Sequence, residues 1–167
     1  EFSGSVVRSF GLTTGDTKRI VDVMAKSTSS SALNFESLRE SMKLVAPVSA
    51  ATGVSLEKTT ALLGVLADRG LKGSIAGTGL AKTFIMLNKQ GVSLEDGMRK
   101  VRESADPLNT AIDMVGIVGA KTFLTLAKGS DDIANLEQKF IDAEDAAKKM
   151  AEIKLDNLAG DTTKLAS

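Results

Sequence analysis

The run from Ala61 to Ala67, read A-L-L-G-V-L-A, constrains the fold most, because it holds no polar side chain over about two helical turns. A helix that is apolar all round must be buried on every side. Ser55 precedes the run as a candidate N-cap, Glu57 falls in the positive first turn, and Gly70 follows the expected end. The sequence therefore predicts a buried helix over residues 55–69 at the centre of the fold.

Composition indicates a single globular domain and argues against several kinds of chemistry. The 167 residues are 43% hydrophobic and 25% charged, with 21 basic and 21 acidic residues. The resulting net charge of +0 gives no long-range field for nucleic acid or an anionic membrane. Cys and His are absent, and with them thiolate chemistry, the commonest general base and the commonest metal ligand. We therefore expect no enzyme activity, no cofactor and no metal.

The aromatic content and the N-terminus lead to two further expectations. Trp and Tyr are absent and only six Phe remain, so the core buries less area per side chain than an aromatic one would. We therefore expect modest stability or assistance from oligomerisation. The chain lacks an initiator Met and a signal-peptide pattern, which indicates a fragment of a longer protein.

Capping and breaking residues divide the chain into about six to eight helices. Ser27 to Ser31 form a polar run that predicts a mobile linker, Pro47 predicts a break or kink, and Gly116 and Gly119 predict a bend. No window alternates at period two over enough residues to predict a strand. The fold class is therefore all-α and compact. The candidate helix starts are Thr14, Asn34, Ser55, Ser74, Ser93, Asp106 and Ser130, and the candidate ends are Gly11, Gly53, Gly70, Gly91 and Gly129.

The predicted domain organisation is a helical core module over residues 1–129, followed by one long amphipathic helix over 130–167 that continues beyond the fragment. Ile133, Leu136 and Phe140 begin its apolar stripe at three- and four-residue spacing. After Ala147 the stripe shifts, which predicts a local change of supercoiling.

Small residues downstream of the apolar run predict close helix packing. Gly73 and Gly77 lie four residues apart, so another backbone can approach the helix that carries them, and we expect that helix to press against Ala61 to Ala67. The residues predicted to serve packing are Leu62, Leu63, Gly64, Leu66, Gly70, Gly73, Gly77, Gly79 and Pro47.

The sequence supports a nucleotide site and a metal site less well than it supports helix packing. The segment from Gly77 to Thr83 is weakly similar to a phosphate-binding loop, but Ala81 stands where that motif needs Gly. The pair Asp131 and Asp132 could bind a metal, yet two carboxylates in the first turn of a helix are better explained by the macrodipole.

One internal repeat is present: Gly-Val-Ser-Leu-Glu occurs at residues 53–57 and again at 91–95. The repeat is consistent with a duplicated helix-turn-helix unit. It is explained equally by one local solution used twice, in which Gly ends a helix and Ser caps the next.

Taken together, Ala46 to Leu80 resembles the core region of bacteriophage tail tape measure proteins. The similarity rests on four elements in order: Ala-Pro-Val at 46–48, Gly-Val-Ser-Leu-Glu at 53–57, Ala-Asp-Arg-Gly at 67–70 and Lys-Gly-Ser-Ile-Ala-Gly at 72–77. Flanking segments at 9–12, 21–26 and 154–161 are also similar to the family.

The resemblance implies a structural protein of the tail lumen that is made in the host cytoplasm, governs tail length and leaves ahead of DNA at ejection. It implies as partners further copies of itself, the tail tube protein, tail assembly chaperones and tail tip or baseplate proteins. No specific nucleic-acid site is expected, and membrane contact is expected only at ejection. The alternatives are a generic helical interaction domain, a membrane-active channel-forming segment and a module associated with a peptidoglycan hydrolase.

Overall fold

The computed structural model describes residues 2–143 and residue 152, and within them every regular element is a helix. A single 3-10 turn over Thr14–Asp16 separates the first two helices. Residues 130–143 are also helical and are called α8 here. The other helices are α1 Phe2–Ser9, α2 Thr17–Ser30, α3 Phe35–Ala51, α4 Leu56–Asp68, α5 Gly73–Gln90, α6 Leu94–Glu103 and α7 Pro107–Lys128. The prediction of a compact all-α fold is confirmed.

Side-chain caps fix the starts of α3, α4, α6 and α7. The Asn34 side chain accepts the Ser37 N–H at 2.8 Å, and Ser37 bonds back to the N-cap backbone, which completes a capping box. Ser55, Ser93 and Asp106 cap α4, α6 and α7, as predicted. The start predicted at Ser74 is wrong by two residues, because Lys72 occupies the N-cap position of α5 and makes no side-chain cap bond. The start predicted at Thr14 is also wrong, because Thr14 lies in the 3-10 turn and Asp16 occupies the N-cap position of α2.

The prediction of a mobile linker at Ser27 to Ser31 is wrong, because α2 continues to Ser30. Ser27 is fully buried and its hydroxyl donates to the Met24 carbonyl at 2.7 Å. The hydroxyl of Ser31 donates to the Ser27 carbonyl, also at 2.7 Å. Bonded to carbonyls of the preceding turn, these hydroxyls stay within the helix instead of competing with it.

The break predicted at Pro47 is also wrong, because α3 runs through it as one helix of 17 residues. Pro47 lies on the exposed side of α3 and so outside the buried packing set. On that side water can hydrate the carbonyl that loses its N–H donor to proline.

Helix α5 is the middle member of a layer, with α3 on one side and α7 on the other. Helix α4 lies against this layer and also contacts α2. All seven residues of the run from Ala61 to Ala67 are buried, and Leu62, Leu63 and Leu66 have no exposed surface. The core therefore includes every face of α4 along this run.

Of the two glycines predicted to bend α7, Gly116 does so, with a φ of 82° and a ψ of 172° that are not helical, whereas Gly119 keeps helical geometry. A break of this kind leaves carbonyls without their i+4 partner. The Gln90 side chain, at the end of α5, donates to the Met114 carbonyl at 2.5 Å. The sharp bend is thus held by a polar contact from the neighbouring helix.

Helix α8 packs on the core through Ile133, Leu136 and Phe140, which are 2%, 6% and 0% exposed. The first part of the predicted long helix is therefore integrated with residues 2–129. The shift of the stripe predicted after Ala147 lies outside the described residues.

Candidate functional site

A close backbone contact joins α3 and α5, and it depends on glycine. A Cβ placed on Gly77 would lie 2.7 Å from the Ser41 carbonyl oxygen and 2.9 Å from the Ser41 Cα. Ser41 is buried, and its hydroxyl donates to the Gly73 carbonyl at 2.6 Å. The two backbones are therefore in direct contact, and a larger residue at Gly77 would force them apart.

Gly79 and Gly64 serve two other helix contacts. Gly79 is buried against the Thr122 side chain of α7, so that a Cβ there would collide with the threonine. Gly64 faces α8, and a Cβ there would meet the Leu136 Cδ2 at 2.5 Å and Ser31 at 3.3 Å. The neighbours of Gly64 are thus side-chain atoms, whereas Gly77 meets backbone.

The nine residues predicted to serve packing fall into three groups. Leu62, Leu63, Gly64, Leu66, Gly73, Gly77 and Gly79 are buried. Gly70 is exposed and adopts a φ of +89°, so its place is in the turn after α4. Pro47 is exposed on α3.

The segment similar to a phosphate-binding loop lies inside α5 and is helical throughout. The Thr83 hydroxyl is buried and donates to the Gly79 carbonyl at 2.8 Å. Backbone N–H groups used within a helix cannot point together at a phosphate, so this segment forms no nucleotide cradle. Among the described residues, no group of three or more Asp, Glu, His or Cys side chains could hold a metal ion.

A buried ion pair between α2 and α4 is a feature that sequence reasoning missed. Glu57 is 4% exposed, and the Arg19 Nη2 donates to its two carboxylate oxygens at 2.6 Å. Arg19 Nε adds a third bond at 3.1 Å. Little in the sequence signalled this pair, because an acidic residue in the first turn of α4 is equally well explained by the helix macrodipole. The pair fixes α2 against the first turn of α4.

The two Gly-Val-Ser-Leu-Glu segments adopt the same backbone solution. Gly53 and Gly91 have φ values of +78° and +69°, which only glycine adopts without strain. In both segments the Val N–H after the glycine then donates to a carbonyl five residues before it, at 2.8 Å and 3.0 Å. The local explanation of the repeat is sufficient, and both turns lie at the same end of the molecule, beside one groove.

That groove has a volume of about 620 Å³ and is lined by both turns. The Lys58 ammonium lies in it, 3.0 Å from a Glu95 carboxylate oxygen and 3.8 Å from one of Glu137. Partial burial opposes ionisation of Glu95, but the hydrogen bond and charge of Lys58 outweigh it and hold the pKa of Glu95 below its ordinary value. Because both carboxylates lie close to the Lys58 ammonium, we interpret the charged residues of this groove as a structural ion cluster that joins α4, α6 and α8.

The outer side of the α3–α5–α7 layer carries an unusual number of exposed apolar side chains. Ile75 is 68% exposed, Ile117 81% and Val118 64%. Leu44 on α3 and Ile85 on α5 are 42% and 47% exposed. Contiguous exposed apolar surface marks interaction sites in many proteins. This side of the layer is the strongest candidate for a functional surface.

A shallow groove of about 320 Å³ runs along this side between α5 and α7, and it is called the α5–α7 groove below. Its lining is Leu71, Ser74, Ile75, Thr78, Gly79, Val118, Lys121 and Thr122. Sequence reasoning did not find it, because the periodicity of one helix does not reveal which other helix lies beside it.

Helix α7 is also the one described helix that is long and apolar enough, by length and composition, to cross a membrane. Half of its apolar window is buried inside the fold, as in a core helix. Asp113 and Lys121 interrupt its sequence and are exposed.

Comparison with known proteins places the chain among phage tail proteins. The family model described as phage-related minor tail protein matches residues 1–166. The tape measure protein of Pneumococcus phage Dp-1 is 31% identical over 187 aligned residues, which cover 95% of this chain and 16% of that protein. The probable tape measure protein of Escherichia phage P2 is 36% identical over 70 residues, which cover 42% of this chain and 9% of that protein. The chain thus spans a small fraction of either relative. No solved structure matches it significantly.

Proposed function

The chain belongs to the phage-related minor tail protein family, and from that premise we propose that it is a folded module of a tape measure protein. The observation that carries the proposal is the family match over residues 1–166, together with a tape measure protein 31% identical over 95% of the chain. In this role the module lies in the tail lumen, contributes to tail length and tube assembly, and leaves before DNA during ejection. Its synthesis takes place in the host cytoplasm.

The fold supports a compact folded module and argues against a single extended helix. A single helix of 167 residues would extend about 250 Å. The described helices instead fold back on one another, and the bond from Ser41 to the Gly73 carbonyl holds α3 against α5. We infer that the length contribution of this module is that of a small globule.

The proposed role is structural, with protein partners. Besides further copies of itself, the module would contact the tail tube protein, the tail assembly chaperones and the tail tip or baseplate. Supporting a non-catalytic role, the chain contains no His and no Cys. A zymogram on peptidoglycan with the purified chain should show no clearing, and a cleared band at its mass would establish a hydrolase.

The location and release are tested on phage particles that carry an epitope tag at an exposed residue of the module, such as Lys100. Before ejection the tag should be present in purified virions but inaccessible to antibody. After receptor-triggered ejection, the empty particles should have lost it. Virions without the tag, or empty particles that retain it in full, would contradict the proposal.

A second candidate function, membrane insertion at ejection, is favoured by one observation, the apolar length of α7. If α7 inserts, the purified chain should release dye from vesicles, and Val118→Lys should abolish the release without changing the helical CD spectrum. Intact vesicles at the same protein concentration would exclude insertion by this module alone.

A further inference from the structure

The α5–α7 groove has the composition of a docking surface. Ile75 and Val118 line it, and Ile117 stands beside it, with exposures of 68%, 64% and 81%. The backbone beneath them is held by the contact of Gly79 with Thr122. Exposing three large aliphatic side chains on well-packed helices costs hydration free energy, which is recovered when a partner covers them.

The charges around the groove are basic. Lys121 lines it, and Lys82 lies one turn along α5 from Thr78, which also lines it. Helix α5 contains no Asp or Glu. In the part of the chain that the structure describes, neither of these lysines takes part in an ion pair. The groove therefore favours a partner that combines carboxylates with an apolar side chain.

A surface of that chemistry exists on the same molecule. Helix α8 carries four acidic residues over residues 130–143; Asp132 pairs with Arg69 and Glu137 with Lys58, and Asp131 and Asp142 are the other two. Asp131, Gln138 and Asp142, at spacings of seven and four, form an exposed stripe, and Ile141 beside it is 37% exposed. The opposite side of α8 packs on the core, and in the part of the chain that the structure describes this stripe is exposed.

We propose that the α5–α7 groove binds the acidic stripe of α8 from a second copy of this chain. The contact is heterologous, because a symmetric pairing of two grooves would bring Lys82 and Lys121 of one copy against the same lysines of the other. Repetition of a heterologous contact closes into a ring or continues as a filament. This inference deepens the proposed function by naming one partner surface, but its test is made in solution and does not depend on tail assembly.

The test is light-scattering mass of the purified 167-residue chain at about 100 μM and low salt. The wild type should exceed its monomer mass of 17.4 kDa, and raising the salt to about 0.5 M should return it toward that mass. A basic-side variant, Lys82→Glu with Lys121→Glu, and an acidic-side variant, Asp131→Lys with Asp142→Lys, should each weaken self-association by at least about tenfold.

A mixture of the two variants is the decisive test of the proposed contact. The reversed groove of one variant matches the reversed stripe of the other, so the mixture should recover a mass above that of either alone. Lys18→Glu with Lys26→Glu on α2 changes the charge equally at exposed positions far from the groove, and should associate like the wild type. Far-UV CD of every variant checks that the fold is retained.

Three results would overturn the proposal. They are a monomeric wild type at low salt, association that survives both charge reversals, and loss of association that the mixture does not restore. A monomeric wild type that sediments with anionic vesicles would assign the groove to lipid instead of a second copy.

Discussion

Replacement of Gly77 by alanine tests the close contact between α3 and α5. The new methyl carbon would lie 2.7 Å from the Ser41 carbonyl oxygen and 2.9 Å from the Ser41 Cα, both backbone atoms that cannot rotate away. Forced overpacking costs about 1–3 kcal/mol. Separation of the helices would also weaken the bond from Ser41 to the Gly73 carbonyl, worth about 1 kcal/mol. Against this, alanine is favoured over glycine in a helix by about 1 kcal/mol.

The net expectation for Gly77→Ala is therefore a loss of about 1–3 kcal/mol in the free energy of unfolding. Gly64→Ala is the matched control, because Gly64 is also a buried mid-helix glycine and gains the same helix propensity. Its new methyl meets the end of the Leu136 side chain, which can change rotamer. Urea unfolding followed by CD at 222 nm measures both variants. If Gly77→Ala is as stable as Gly64→Ala, the direct backbone contact is wrong.

Four further substitutions test other parts of the same structure. Leu63→Asp should unfold the module or cost several kcal/mol, because Leu63 is 0% exposed and no partner surrounds a charge there; unchanged thermal melting would show that α4 is not central. Arg19→Leu should cost about 2–4 kcal/mol and Glu57→Gln less, because the first leaves a buried carboxylate and the second leaves an arginine that is 34% exposed; equal costs in urea would contradict the asymmetry. Because the folded pKa of Glu95 is lowered, its pairing with Lys58 stabilises the fold above the unfolded pKa near 4.5, and this contribution is lost as pH falls through the folded value. Glu95→Gln should thus reduce the difference between the free energies of unfolding at pH 7 and at pH 3 by less than about 1 kcal/mol. A larger difference in the variant than in the wild type would contradict this prediction.

Local signals predicted most of the helix boundaries. Asn34, Ser55, Ser93 and Asp106 cap their helices through side-chain bonds to N–H groups three residues ahead, so the information lies within a few residues of sequence. The bend at Gly116 was likewise signalled by a glycine inside an apolar helix.

The predictions at Ser27 to Ser31 and at Pro47 were wrong because serine and proline can either interrupt a helix or be accommodated within it. Serines compete with a helix or bond back within it, and in α2 the burial of Ser27 selects the second. Proline removes one backbone hydrogen bond from a helix, and at Pro47 this loss is tolerated because the residue is exposed and water can hydrate the carbonyl left without a donor. Both choices depend on tertiary burial, which local sequence does not encode.

The candidate surface could be predicted only in part. The glycine spacing of α5 indicated a close neighbour, but the neighbour predicted for it, the run from Ala61 to Ala67, is wrong: α3 lies opposite Gly77 and α7 opposite Gly79. Without that arrangement, Ile75 and Val118 belong to separate amphipathic patterns. Their common groove follows from the antiparallel placement of α5 and α7, which a single helix pattern cannot specify.

The central claim is that this chain acts in the tail as a compact module, and tail length measures it most directly. A phage whose parent gene carries a second, tandem copy of the 167 residues retains one intact module for assembly. Electron microscopy of negatively stained tails should then show a length change of no more than about 40 Å, the diameter of a globule of this size. Tails longer by about 250 Å would mean that the segment is read as extended helix, and would contradict the account.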